Sequence, residues 1–401
     1  MRIGMMVDMY KPHISGITNY VSLNKRVLEA QGHKVFVFTF GDQDHEDDEL
    51  NVVRSPGLPL NINDTGFNMN FRYNKTAQRK VRSMDLIHVH HPFLSGSLAL
   101  RYAAGRGIPV AYTNHTRFDL YAQHYMPSFV PDAVGMAFLK TYLPSFCKRC
   151  NLVISPSPGI EVVMRELGVE APIKVIPNGV DIAPFQKPPK TLTRAEVGLP
   201  EDATVLMYLG RLSPEKGLTT LLQAFLGVAG AVPGVVLALV GDGPDAEALR
   251  QQAAEAGLSD RVKFLGKAKY EDVPAYYKLA DAFVTASETE VHPLSLIEAM
   301  AAGLPAVGIA SPGVGDTVVD GVNGLLSAPD VAAFTAKLML LVMQRDLRLK
   351  LAAQAAEDAE QYDIQRTAAV VLQQYEQLVA RSARPMRRWS GLAQRVRHIL
   401  P

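Results

Sequence analysis

Cysteine and tryptophan are scarce, and neither sign of charge dominates. The 401 residues hold two cysteines, one tryptophan, and 41 Lys+Arg against 40 Asp+Glu. Both thiols sit in one Cys147-Lys-Arg-Cys150 motif. That excludes a disulfide framework and supplies only half of a structural zinc site, so two reduced thiols a turn apart on a helix are expected. The N-terminus has no charged n-region, long apolar h-region or small-residue cleavage site, so no secretory leader is expected. Residues 217–241 form the longest stretch without charge, but Pro233-Gly234 breaks it. Its first half has helical spacing (Leu221, Leu222, Phe225, Leu226) and its second reads as a buried strand, not as one membrane span. No GxGxxG follows any strand candidate, which disfavours a nicotinamide enzyme. A near-average composition excludes a disordered or collagenous chain. The expectation is a soluble, cytoplasmic protein.

Short apolar runs alternate with helical patterns, the signature of parallel sheets with crossover helices. Strand candidates cover 3–7, 35–40, 86–89, 110–113, 152–154 and 175–176, then restart at 205–209, 235–240, 262–264, 282–285 and 306–308. The organisation expected is a doubly wound domain over 1–184, a proline- and lysine-rich linker over 185–199, and a second doubly wound domain over 200–360. Terminal helices over 361–401 are expected to cross back onto the first domain. Two such sheets place a ligand cleft between their carboxyl ends.

Charge is unevenly spread. Residues 1–150 are basic, residues 151–380 acidic, and residues 381–401 carry six arginines and no acid. Taken as a helix from Pro385, the tail presents Met386, Trp389, Leu392, Ala393, Val396, Ile399 and Leu400 on one face, with Arg387 and Arg388 largely elsewhere. Two readings stand: Trp389 and these arginines dock on an anionic membrane surface, or the helix packs on the protein. Arg72, Lys75, Arg79, Lys80 and Arg82, just after Phe67, Met69 and Phe71, have the same two readings, membrane docking or a solvated helix face. No nucleic-acid partner is expected.

The most specific stretch is Ala286-Ser-Glu-Thr-Glu290-Val-His-Pro-Leu-Ser-Leu-Ile-Glu298. A buried strand ends at Thr285, a loop carries Glu290, and a helix begins near Pro293, where a first-turn proline is allowed. The amides of Leu294, Ser295 and Leu296 would then point out of a helix N-terminus, where they can hold a phosphate. Glu298, a turn further, can accept hydrogen bonds from a ribose, and Glu290 from hydroxyls of a sugar beyond the phosphates. Gly210-Arg211-Leu-Ser-Pro-Glu-Lys216-Gly217 follows strand 205–209. No DxD-type metal site is evident on this side, so Arg211 and Lys216 are the natural cations for a departing diphosphate. Turns at Gly241-Asp242-Gly243 and Gly266-Lys267 complete the donor-side candidates, and Gly16, at the start of a helix, lets backbone approach a phosphate.

These motifs, in this order, resemble the E-x7-E and GRL-x-x-x-KG signatures of retaining glycosyltransferases of the GT-B fold, the large GT4-type family. The resemblance covers nearly the whole chain. It implies an α/β GT-B fold, a nucleotide-sugar donor expected to be UDP-glucose, and no metal or other cofactor. By that resemblance Glu290 fixes the transferred hexose, Glu298 the ribose, and Arg211 and Lys216 the diphosphate. His115, in Tyr112-Thr-Asn-His115, matches the active-site histidine that orients the sugar. The chain departs from the family with His292-Pro293 in place of Phe-Gly and Ser15-Gly16 in place of Gly-Gly. A histidine near His13 is the general base of inverting GT-B enzymes, which the retaining group does not require. His91-Pro-Phe and His115-Thr-Arg-Phe-Asp-Leu-Tyr121-Ala-Gln-His124 look most like glycolipid synthases that glucosylate diacylglycerol, which implies His91, Tyr121 and His124 in an acceptor pocket. A soluble or phosphatidylinositol-like acceptor, a nucleotide-sugar epimerase and a non-catalytic nucleotide-sugar sensor are the rival readings. His88, His90 and His91 could suggest a metal trio, but adjacent strand residues face opposite ways.

Overall fold

A computed structural model describes residues 1–13, 15–60, 67–70, 72–120 and 131–383. Tyr121, His124 and the tail with Arg387, Arg388 and Trp389 lie outside the described residues, as does Phe71.

The apolar runs form parallel strands, most buried along nearly their whole length because helices cover both faces. The first sheet uses β1 (Arg2–Met6), β2 (Lys34–Phe40) and β3 (Val52–Ser55). A small antiparallel pair, β4 (Leu58–Leu60) and β5 (Phe67–Met69), interrupts the chain before β6 (Leu86–Val89), β7 (Val110–Thr113), β8 (Leu152–Ser155) and β9 (Ile173–Val175). The second sheet comprises β10 (Thr204–Leu209), β11 (Val235–Val240), β12 (Val262–Gly266), β13 (Ala282–Thr285), β14 (Ala306–Ile309) and β15 (Gly324–Ser327). Their orders are β3-β2-β1-β6-β7-β8-β9 and β12-β11-β10-β13-β14-β15. Each order reverses once, between β1 and β6 and between β10 and β13. Loops leaving the carboxyl ends at those points diverge, and the crevice they leave is where doubly wound sheets bind ligands.

The chain crosses between domains twice, and the crossings are bonded to each other. Val180 N donates to Tyr362 O and Ile364 N to Val180 O, both at 2.9 Å. After the first crossing, Ile182, Phe185 and Leu199 are buried in the core of the second domain, with Ala183–Gln186 helical. After the second, helix Ile364–Ala383 lies against the first sheet, burying Val371, Tyr375 and Leu378 with Ile3, Met5 and Val35. The uncharged stretch divides into helix Leu218–Ala231 and strand β11. Among the described residues, no helix is long and apolar enough to cross a membrane.

Helix Asp132–Arg149 carries buried Cys147 and ends at Cys150. Both thiols are free, and burial pushes both above the ordinary cysteine range. Helix Lys75–Val81 starts from Asn74, whose side chain accepts from Ala77 N. Arg72 and Arg79 are exposed, whereas Lys80 lies over the Phe36 ring at 4.6 Å and Arg82 over Tyr102 at 5.5 Å.

Candidate functional site

The loop after β10 is shaped by two close backbone approaches. Gly217 has φ +64°, and a Cβ there would lie 2.4 Å from Ala286 O. Only glycine allows the turn that ends the Arg211–Lys216 segment and starts helix Leu218–Ala231. Gly243 meets the same loop from the side, since a Cβ would stand 2.3 Å from Leu212 O. The close approach at Gly243 is made, within the protein, by the loop that carries Arg211. A Cβ on Gly16 would meet nothing within 4 Å, so the start of helix Gly16–Ala30 faces open space.

Lys216 Nζ donates to Glu290 Oε1 at 2.8 Å, joining the loop after β10 to the loop after β13. Burial works against the ammonium, but Glu290, with Tyr208 and Glu215 behind it, outweighs that and holds Lys216 above the ordinary lysine range. Glu215 is buried and tied down: Ser213 Oγ donates to its carboxylate at 2.7 Å, and Ser287 and Thr289 donate to its carbonyl. This packing fixes the cation and the carboxylate as one rigid pair.

Helix Leu294–Ala301 begins after Pro293, which takes the cap position. Its first i→i−4 bond runs from Ile297 N to Pro293 O. The amides of Leu294, Ser295 and Leu296 precede that bond and occupy the donor end of the helix. Glu298, a turn in, is 4% exposed. Burial pushes its carboxyl up to about 7, while hydrogen bonds from Tyr277 and Tyr270 pull the other way. Tyr277 Oη donates to Oε2 at 3.3 Å and Tyr270 Oη to Oε1 at 3.4 Å. Neither tyrosine was evident from sequence, because both lie before β13, far from Glu298 in the chain, and no local spacing links them to it.

From the first domain, the loop after β1 brings His13 towards this site. Burial holds its imidazole below the usual histidine range, and Arg211, His91 and Lys267 add to that. The two domains therefore place Arg211, Lys267, His13 and His91 around one region. His91 Nδ1 accepts from Asp8 N at 3.2 Å, and Asp8 in turn accepts from Ser95 N at 2.8 Å. His115 follows β7. Burial, then the neighbouring His88 and His91, hold it well below the usual range, so it is neutral at physiological pH. Its Nε2 shares a hydrogen bond with His90 Nδ1 at 3.1 Å, and Tyr20 packs edge-on at 4.8 Å. His88 is anchored by Thr113 and by the Tyr375 hydroxyl of the last described helix. His88 and His90, two apart on one strand face, are thus built into the structure, whereas His91 turns to Asp8. Among the described residues, no group of three His, Cys, Asp or Glu is placed to hold a metal ion.

A paired cation and carboxylate, a helix N-terminus and a buried second carboxylate can hold the diphosphate, sugar and ribose of a nucleotide sugar. Known proteins agree with the fold and the chemistry. Residues 14–183 match the family described as Glycosyltransferase Family 4, and residues 189–358 match Glycosyl transferases group 1. The α-monoglucosyldiacylglycerol synthase of Acholeplasma laidlawii is 32% identical over 81% of this chain and 84% of its own. That of Streptococcus pneumoniae is 30% identical over 81% and 75%. Anabaena Alr3699/HepE, solved in complex with UDP and glucose, shares the fold with a TM-score of 0.74, at 22% identity over 94% of this chain and 100% of that one. The chain belongs to glycosyltransferase family 4: it is a GT-B hexosyltransferase of the glycolipid-synthase-like group.

Proposed function

We propose that this enzyme moves glucose from UDP-glucose to diacylglycerol, with retention, giving an α-glucosyl lipid at the inner face of the cell membrane. The observation that carries the donor chemistry is the Lys216–Glu290 pair at 2.8 Å, placed between the loops at the switch point of the second sheet. Relatives named α-monoglucosyldiacylglycerol synthases support the acceptor and the linkage.

In this reading Glu298 takes the ribose, and the amides of Leu294, Ser295 and Leu296, with Arg211 and Lys216, take the diphosphate. Glu290 holds the sugar hydroxyls, and because it pairs with Lys216 it couples sugar placement to the cation that meets the leaving group. Charge developing on the departing phosphate is neutralised by fixed cations that need no reorganisation, and the donor site works without a resident metal. His115, kept neutral by burial, orients the sugar through hydrogen bonds. The departing phosphate oxygen takes the proton of the acceptor hydroxyl on the same face of the sugar, which preserves the anomeric configuration. His91 lines the acceptor side, with Tyr121 and His124. Exposed Arg72 and Arg79, together with Lys80 and the Arg387-Arg388-Trp389 tail, meet the anionic lipid surface.

The test is UDP release from UDP-glucose by the purified chain, with and without anionic vesicles containing diacylglycerol. Release that depends on diacylglycerol supports the reading. Turnover with a soluble acceptor and indifference to vesicles would replace the lipid acceptor while leaving the donor site standing. Lys216→Met should lower kcat about 10²-fold or more, the loss typical of removing one fixed group that stabilises transition-state charge.

A further inference from the structure

The loop that presents Glu290 belongs to the second domain in sequence but is gripped by the first. Val291 is buried in the first domain's hydrophobic core, whose other buried members all precede residue 170. Its carbonyl accepts a buried hydrogen bond from Ser157 Oγ at 3.2 Å, and the next carbonyl, of His292, accepts one from Asn178 Nδ2 at 3.2 Å. The two residues that follow Glu290 are thus held by side chains more than a hundred positions earlier in the chain.

Each donor is itself fixed. Ser157 is the cap of helix Pro158–Glu166 and accepts from Ile160 N. One turn of that helix also meets the second domain, where Gly159 N donates to Asp316 Oδ2 at 2.7 Å. Asn178 lies two residues before Val180, at the crossing between domains. The His292 ring packs edge-on against Tyr362 at 5.1 Å, and Tyr362 O is the acceptor for Val180 N. On its other side the Glu290 backbone has no room to retreat, since a Cβ on Gly313 would stand 2.3 Å from Glu290 O. The nucleotide end is built differently: Glu298, Tyr270 and Tyr277 all come from the second domain.

We propose that Ser157 and Asn178 are positioning residues through which the acceptor domain sets the donor-sugar carboxylate, Glu290. This rests on the reading that Glu290 takes the donor sugar. The first domain then controls the sugar end of the donor, and the nucleotide end is independent of it. A change in the angle between domains moves the Val291 and His292 carbonyls, and with them Glu290, so the sugar is correctly held only when the acceptor domain is in place. Small displacements suffice, because misplacement by about 1 Å can lower a rate about 10²-fold.

The test uses the full chain, with UDP and UDP-glucose as separate probes in calorimetry, and turnover measured alongside. Asn178→Asp keeps the shape of the side chain but removes the donor. Ser157→Asp keeps a helix cap but cannot donate to Val291 O, and Ser157→Thr keeps both functions. Asn178→Asp and Ser157→Asp should leave UDP affinity within about twofold, lower kcat about tenfold and reduce the affinity advantage of UDP-glucose over UDP, while Ser157→Thr stays near the parent. Unchanged kcat in Asn178→Asp would overturn the proposal, as would UDP and UDP-glucose affinities falling together in step with thermal stability. Asn178→Asp carries the test alone if Ser157→Asp does not fold. Glu290→Gln separates the two levels: if it leaves the UDP-glucose advantage and kcat intact, the sugar reading of Glu290 fails, and the positioning proposal with it.

Discussion

Glu298 shows how burial shifts the charge state of a side chain proposed to meet the ribose. Burial raises its carboxyl to about 7 from an ordinary value of 4.5, with two phenols donating to it. The folded enzyme therefore holds a proton that the unfolded chain releases. The stabilising effect of that proton is complete below pH 4.5 and is lost as pH rises through 7. At pH 8 the buried negative charge opposes folding by roughly 3 kcal/mol. Glu298→Gln should accordingly be more stable than the parent at pH 8 in urea unfolding, with the gap narrowing as pH falls from 7 to 5. In the proposed role, binding has the opposite preference, because ribose hydroxyls donate best to an ionised carboxylate. UDP affinity of the parent should weaken as pH drops below 7. Glu298→Gln should bind UDP about tenfold or more weakly at pH 8 and lose that pH dependence. Isothermal titration at pH 6, 7 and 8 checks both; a parent affinity that does not change with pH would contradict the role given to Glu298.

At the scale of elements, Arg211, Glu290 and His115 sit in loops that follow strands, where the chain must turn. Gly217 is the clearest case: alanine there would strain a φ of +64° and drive its Cβ into the Ala286 carbonyl. Gly217→Ala should destabilise the protein by about 2 kcal/mol or more and weaken UDP binding, because the same turn holds Lys216. Urea unfolding and calorimetry measure the two effects; a variant unchanged in both would show that the turn is not built on this glycine. The interior strands and the order of the motifs along the chain were legible in the sequence, because fully buried runs such as Val235–Val240 leave an unmistakable apolar signature. Two of the four edge strands were not. Val52–Ser55 and Gly324–Ser327 are four residues each, with polar residues or glycine among them, and are defined by pairing with a neighbour. Strand 175–176 was expected slightly late and runs over Ile173–Val175, also at a sheet edge. Within the candidate site, Glu290, Glu298, Arg211 and Lys216 could be singled out from sequence because each pair lies in one short segment. Tyr270, Tyr277, Ser157 and Asn178 were not, because their contacts exist only once distant segments are folded together.

At the scale of the whole molecule, a seven-stranded and a six-stranded parallel sheet, whose first six strands follow the same order, are joined by a doubly bonded crossing at Val180 and Tyr362–Ile364. The last described helix returns to the first domain, and Tyr375, buried in that domain's core, reaches His88. The molecule thus brings the loops that would carry acceptor and donor to one region, with the Glu290 loop seated in the opposite domain. The central claim is that this arrangement transfers glucose to a lipid on the face from which UDP leaves. The most direct measurement is the anomeric configuration of the lipid product formed from UDP-glucose and diacylglycerol vesicles, read from the proton coupling at the anomeric carbon. An α-glucosyl lipid is the predicted result. A β-glucosyl product would contradict the same-face mechanism, and no glucosyl lipid at all would contradict the acceptor.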